Sequence, residues 1–313
     1  MKKEILSKLC ILTTVSAITL TCSVCDIFAK EDTLTFTDDL GRQVTVESSD
    51  RVVVLTSSFA DIWATAGGVD NIVATTDATW RYFNLPLHEN VVNLGSSKEI
   101  NLEQLIACEP DLVLASCGTD RNIEMEELLT ALDITTAYFS VDNIDEYLHM
   151  LDICTQITGQ TENYTLYGTD VKKHVGQTLQ RADDSHPSVL YIRASGNSCK
   201  VKNSEDSVLG EMLSNLGCKN IADKENSLLE QLSMEIIIAE DPDYIFVILQ
   251  SADISEAEKI LKTTLLDNPA WSELTAVKEG RYYVLDPSLY NLKPNAKWGE
   301  AYEKLADILY PEK

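Results

Sequence analysis

The feature that most constrains this chain is a segment that occurs twice. Residues 100–114 read Ile-Asn-Leu-Glu-Gln-Leu-Ile-Ala-Cys-Glu-Pro-Asp-Leu-Val-Leu, and residues 232–246 read Leu-Ser-Met-Glu-Ile-Ile-Ile-Ala-Glu-Asp-Pro-Asp-Tyr-Ile-Phe. Each copy opens on a polar N-cap residue, Asn101 or Ser233, and puts a glutamate, Glu103 or Glu235, at the second helical position. A Pro-Asp pair follows, with the proline seven residues after the glutamate in both copies. The proline ends the helix and an apolar, β-rich run begins. A shorter echo pairs Ala66–Ile72 with Asn215–Ile221 in the same order. Helix–Pro-Asp–strand is a common phrase by itself, but two echoes in one order predict two lobes of similar fold.

Short apolar runs alternate with amphipathic stretches throughout, the pattern of α/β units around parallel strands. Val52–Leu55, Ile72–Ala74, Leu112–Ala115 and Thr136–Phe139 read as strands of the first half. Val189–Ile192, Tyr244–Ile248 and Tyr282–Leu285 read as strands of the second. Helical patterns lie at Phe59–Ala66, Leu102–Cys108, Met125–Leu132 and Ile144–Thr158. Between the halves, Glu162–Arg181 carries Tyr164, Tyr167, Val171, Val175 and Leu179 on one helical face. Twenty helical residues span about 30 Å, enough to cross from lobe to lobe. The expected fold is therefore α/β: two Rossmann-like lobes with parallel-rich central sheets, joined by a single long helix. The expected boundaries are 30–160 for the first lobe, 161–183 for the connector and 184–313 for the second lobe. A helical connector resists bending, so limited lobe closure is expected.

Residues 1–29 read as a secretory signal. Lys2, Lys3 and Lys8 precede an apolar run from Leu9 to Leu20, and Ala29 supplies a small residue at the cleavage point. Cys22 is a candidate lipid anchor, although Thr19-Leu20-Thr21 before it departs from the usual lipoprotein pattern. Both a lipid-anchored protein on the outer face of the cytoplasmic membrane and a secreted or periplasmic one are consistent with this leader. Five cysteines remain after it, Cys108, Cys117, Cys154, Cys199 and Cys218. Their odd number and wide spacing suit neither a disulfide framework nor a zinc site, so buried thiols are expected, with one bridge, Cys199 to Cys218, conceivable.

Fifty acidic residues against 25 basic ones give a formal charge of −25, which excludes nucleic acid as a natural partner. No glycine-rich nucleotide loop, G-x-S-x-G elbow or H-E-x-x-H is present, and Gly67-Gly68 follows a helix as a terminator. No nucleophile–base set can be assembled, and the four histidines do not converge. The expectation is a binding protein with no catalytic residues, no metal site and no cofactor of its own, acting as a monomer.

In parallel α/β sheets ligands sit beyond the carboxyl ends of the strands. That rule selects Phe59 after the first strand, Trp80-Arg81-Tyr82 after the second, Arg193 after Val189–Ile192 and Tyr290 after Tyr282–Leu285. The aromatics suit a flat or apolar ligand surface, and the two arginines suit ligand carboxylates or oxyanions.

The chain resembles the substrate-binding proteins of ABC importers that take up ferric siderophores, haem and cobalamin. The resemblance rests on Asp38-Asp39-Leu40-Gly41-Arg42-Gln43-Val44 followed by Arg51-Val52-Val53-Val54-Leu55, on the two Pro-Asp segments, and on Lys293-Pro294-Asn295-Ala296-Lys297-Trp298-Gly299 near the C-terminus. It implies a lobe–helix–lobe fold with a shallow cleft, and partnership with a permease and its ATPase. It also implies a glutamate on each lobe that docks on permease arginines, at Glu103 and Glu235. A ferric siderophore or related anionic iron complex ranks first as cargo, with cobalamin or haem as alternatives. A surface adhesion or sensory protein on the same fold is the reading of another class.

Overall fold

The computed structural model describes residues 33–311 apart from 206 and 252. The expected leader, residues 1–29 with Cys22, lies outside the described residues. β1 (Leu34–Thr37) and β2 (Gln43–Val46) form an antiparallel hairpin. Arg42 docks it on the first lobe: its guanidinium donates to Asp38 at 2.6 and 3.0 Å, to Glu126 at 2.9 Å and to the Thr136 carbonyl at 2.8 Å. The same group lies over the Tyr138 ring at 4.6 Å.

Five parallel strands follow: β3 (Val52–Val54), β4 (Ile72–Thr75), β5 (Val92–Asn93), β6 (Leu112–Ser116) and β7 (Thr136–Phe139), in the order β5-β4-β3-β6-β7. The second sheet comprises β8 (Ser188–Ser195), β9 (Cys199–Lys202), β10 (Lys219–Asn220), β11 (Tyr244–Gln250) and β12 (Tyr282–Leu285). Its parallel order is β10-β8-β11-β12, with β9 antiparallel on β8. Each sheet starts at a central strand, winds to one edge and crosses back to the other side. The reversals fall between β3 and β6 and between β8 and β11, and such switch points open crevices at the strand ends. All seven expected strands are present. β5 and β10 have two residues each, too few to carry a period, and β9 presents Lys200 and Lys202 in a polar run.

Alternation along the strands sends side chains to two faces. In the first lobe Val53, Val113, Ala115 and Tyr138 pack one way, while Val52, Val54, Leu114 and Phe139 pack the other. That second set belongs to a core that continues through Val175, Trp298, Tyr302 and Leu305 to Val189, Tyr191, Phe246 and Ile248 of the second sheet. One apolar core thus runs through both lobes, and burial on this scale opposes wide separation of the sheets. The remaining face of the second sheet packs Leu190, Ile192, Ile245 and Val247 against Ala257, Leu265 and Trp271.

The connector is helical over Glu162–Leu179 but not regular. A π turn at Thr165–Thr169 interrupts the α-helix expected over Glu162–Arg181. Tyr147 donates its hydroxyl to the Tyr167 carbonyl at 2.8 Å within that turn. Tyr164, Tyr167, Val171 and Leu179 pack on the shared core beside the buried Val175. The wider turn resets the face, so residues spaced three, four, four and four apart stay on the core.

The sequence echo is a structural one. The two helices run Leu102–Ala107 and Met234–Glu240. Asn101 caps the first, its side chain accepting from Gln104 N at 3.1 Å, whereas Ser233 holds the N-cap position with no side-chain bond. Before each proline the chain turns through a left-handed residue, Glu109 (φ 45°) or Asp241 (φ 38°). The Pro-Asp aspartates then anchor each lobe's first parallel strand: Asp111 accepts from Ser48 Oγ and Arg51 N, and Asp243 from Ser188 N and Oγ. The shorter echo shifts by one residue. Gly67 (φ 94°) and Gly217 (φ 81°) are equivalent, each ending its helix in a Schellman motif with bonds from Gly67 to Ala64 O and Gly68 to Trp63 O, and from Gly217 to Ser214 O and Cys218 to Leu213 O.

All five cysteines of the described residues are free thiols, so the conceivable Cys199–Cys218 bridge is not made. Burial pushes the Cys218 thiol up to about 12, which keeps it a neutral, small apolar group.

Candidate functional site

Both switch points place polar groups at the carboxyl ends of their strands. In the first lobe Thr56 ends the β3 segment and Thr76 the β4 segment, each with a buried hydroxyl that has no hydrogen-bond partner among the described residues. Beyond β5 and β6, Ser97, Lys98, Gly118, Thr119 and Arg121 line a depression of about 400 Å³. Between the lobes a smaller cavity of about 170 Å³ is lined by Asp142 from the first lobe and by Tyr191, Arg193, Ser207, Asn291 and Lys293 from the second.

Two expected ligand residues are deeply buried, although Tyr290 also lines the inter-lobe cavity. Phe59 lies in the helix Ser57–Thr65, is 1% exposed and packs in the shared core. The chain enters that helix directly after Thr56, and the third residue turns inward. Tyr290 is 2% exposed and donates its hydroxyl to the Ala301 carbonyl at 3.0 Å. Burial raises its phenol well above the usual range.

The others keep exposed polar or aromatic surface. Trp80, Arg81 and Tyr82 fall on the short helix Ala78–Tyr82, with Trp80 45% exposed. Arg81 pairs with Asp77 at 2.8 Å and lies over the Tyr82 ring at 5.7 Å. Arg193 stands within β8, half-buried, with its guanidinium 3.5 Å from Asn291 Oδ1. Burial raises the neighbouring Tyr191 phenol to about 12 although Arg193 pulls it down. No hydrogen bond, ion pair or ring contact joins the Trp80 helix to Arg193 among the described residues.

Lys293, Asp142, Asn291 and Asn295 were not selected from sequence. Lys293 ion-pairs with Asp142 across the cleft. Asn295 donates to the Ser58 carbonyl and to Asp61 Oδ2, both at 2.8 Å, and so ties the C-terminal segment to the first lobe. The C-terminal segment Lys293–Gly299, one of those that carry the resemblance, contains Lys293 and Asn295, and this was the one signal that pointed to them. Glu103 and Glu235 are exposed on their helices at equivalent places in the two lobes.

A family model described as a periplasmic binding protein matches residues 52–289. The chain belongs to the periplasmic binding protein family. Members of this family are non-catalytic, extracytoplasmic substrate-binding proteins of ABC importers, and membership implies work with a permease, its ATPase and a small-molecule cargo. Among curated family relatives, an uncharacterized ABC transporter substrate-binding lipoprotein of Bacillus subtilis, YvrC, is 25% identical over 291 residues, covering 89% of this chain and 86% of that protein. The cobalamin-binding protein of Halobacterium salinarum is 23% identical over 274 residues, covering 85% and 73%. The structure of S. aureus IsdE complexed with heme superposes with a TM-score of 0.67 at 18% identity, over 84% of this chain and all of that one. That likeness establishes the shared two-lobed fold.

Proposed function

We propose that this binding protein captures a haem or cobalamin-type metal complex in the cleft between its lobes and delivers it to an ABC permease. The observation that supports this reading most is the cation pair Arg193 and Lys293 on the inter-lobe cavity, and the exposed indole of Trp80 after β4 adds an aromatic face on the first lobe. A flat macrocycle offers its face to aromatics and its polar side chains to charge. The names of relatives that bind cobalamin and haem favour the same class. Haem would not take an iron ligand from Tyr290, whose hydroxyl is committed to Ala301. The ferric siderophore ranked first from sequence becomes the second reading, favoured by the cation pair.

Permease docking is proposed at Glu103 and Glu235. Each is solvent-exposed at the start of an equivalent helix, as a roughly symmetric partner would require. A lipid anchor at Cys22 completes the proposed arrangement at the outer face of the cytoplasmic membrane.

Tryptophan fluorescence of the mature chain, titrated with haem, cyanocobalamin and a ferric siderophore panel, tests the reading. Submicromolar quenching by haem or cyanocobalamin alone is expected. A response to no compound refutes capture of this class. Glu103→Arg with Glu235→Arg should abolish uptake and leave affinity within about threefold, since neither residue lines the cleft. A larger loss of affinity places those residues wrongly.

A further inference from the structure

Lys293 and Asp142 belong to opposite lobes. Asp142 follows β7, and Lys293 follows the short helix Pro287–Tyr290 after β12. The lysine side chain is 22% exposed and the aspartate 65%, so a largely covered cation of the second lobe takes its carboxylate from the first. Arg193 lines the same cavity, and among the described residues it has no carboxylate partner. In a chain with 50 acidic and 25 basic side chains, a half-buried arginine matched only to an amide is out of step with its surroundings. The cavity, at about 170 Å³, is smaller than the roughly 300–1,000 Å³ of small-molecule sites. Any cargo that enters must displace part of its wall, and Asp142 is the wall's one contribution from the first lobe.

We propose that Asp142 is a built-in stand-in for a carboxylate of the cargo: in the empty protein it neutralises Lys293 and bridges the lobes, and a cargo carboxylate displaces it to be held by Lys293 and Arg193 together. This rests on the reading of the cleft as the cargo site, and it narrows the cargo to a carboxylate-bearing complex. Haem propionates and a hydroxycarboxylate chelate of iron share that chemistry. Cobalamin, whose corrin side chains are amides, does not. Asp142 is already well solvated, so its release costs little, and the exchange replaces one exposed ion pair by contacts to two cations.

The test uses the mature protein, Asp142→Asn, Lys293→Met and the double variant. Each is titrated with haem, haem dimethyl ester, ferric citrate and cyanocobalamin. Asp142→Asn should tighten haem or ferric citrate about three- to fivefold, the scale of one exposed ion pair, and leave the ester unchanged. Lys293→Met should weaken the same carboxylate probe about tenfold. In the Lys293→Met background, Asp142→Asn should have no effect, because no cation is left to release. Equal tightening in both backgrounds would mean simple repulsion and overturns the proposal, as does weaker binding by Asp142→Asn. Binding of cyanocobalamin with no carboxylate probe bound by any variant overturns it and leaves the cleft reading intact. Binding of nothing by any variant overturns both. Lys293→Gln replaces Lys293→Met if the latter unfolds at lower urea.

Discussion

Asn295 is the buried joint that ties the C-terminal segment to the first lobe. Its side chain is fully buried at 0% exposure, its φ is 54°, and its amide donates both to the Ser58 carbonyl and to the Asp61 carboxylate. Asn295→Ala removes a bond to a charged acceptor, about 1.5–3 kcal/mol, and a neutral one, about 1 kcal/mol. Placing alanine in the left-handed region adds about 1 kcal/mol. Against this, Asn295 Oδ1 is buried without a partner, and deleting it returns about 1 kcal/mol. The net expected loss is about 2.5–4 kcal/mol. Asn295→Gly loses the same bonds but tolerates positive φ, so it should be about 1 kcal/mol less damaging than alanine. Urea unfolding of the mature chain, followed by circular dichroism and fluorescence together, measures both. The core shared by the lobes predicts one transition for both probes. An alanine variant within about 0.5 kcal/mol of the parent, smaller than any single contribution above, refutes the reasoning, as does a glycine variant worse than alanine.

Two further outcomes follow from groups near that joint. Burial raises the Asp61 carboxyl above its ordinary 3.8, although Asn295 and Lys297 pull it down. The folded state therefore holds this proton more tightly than the unfolded one, so the stabilisation is complete below the unfolded pKa and is lost as pH rises through the folded value. Asp61→Asn should gain stability relative to the parent between about pH 4 and pH 7, read from urea midpoints; a trend of opposite sign contradicts the raised carboxyl. At Gly299 an added Cβ would lie 2.4 Å from His174 Nδ1 on the connector. Gly299→Ala should cost about 1–3 kcal/mol and His174→Ala should recover most of it. A thermal midpoint unchanged by Gly299→Ala would show that the two helices are not so closely packed.

Much of the fold was legible because its signals are local. Strand runs such as Thr136–Phe139 and Tyr282–Leu285 and the helix Ile144–Thr158 match their expected limits, since periodicity and the residues that end it lie within one element. The connector's face was legible, but its π turn was not: the spacing of Tyr164, Tyr167 and Val171 fits a regular helix as well as an interrupted one. At the candidate site, the strand-end rule selects loops and says nothing of side-chain direction. Trp80 emerged exposed, while Phe59 and Tyr290 turned into the core.

By itself the sequence determined the two-lobed α/β plan, its repeated helix–Pro-Asp–strand unit and its lack of catalytic constellations. Each depends on backbone stereochemistry or on periods of a few residues. Only the tertiary structure decided what crosses the cleft. Asp142 and Lys293 are 151 residues apart, and Ser58 and Asn295 are 237 apart. No local pattern couples such pairs, because their meeting is set by how the two sheets, the connector and the last helix close on one core.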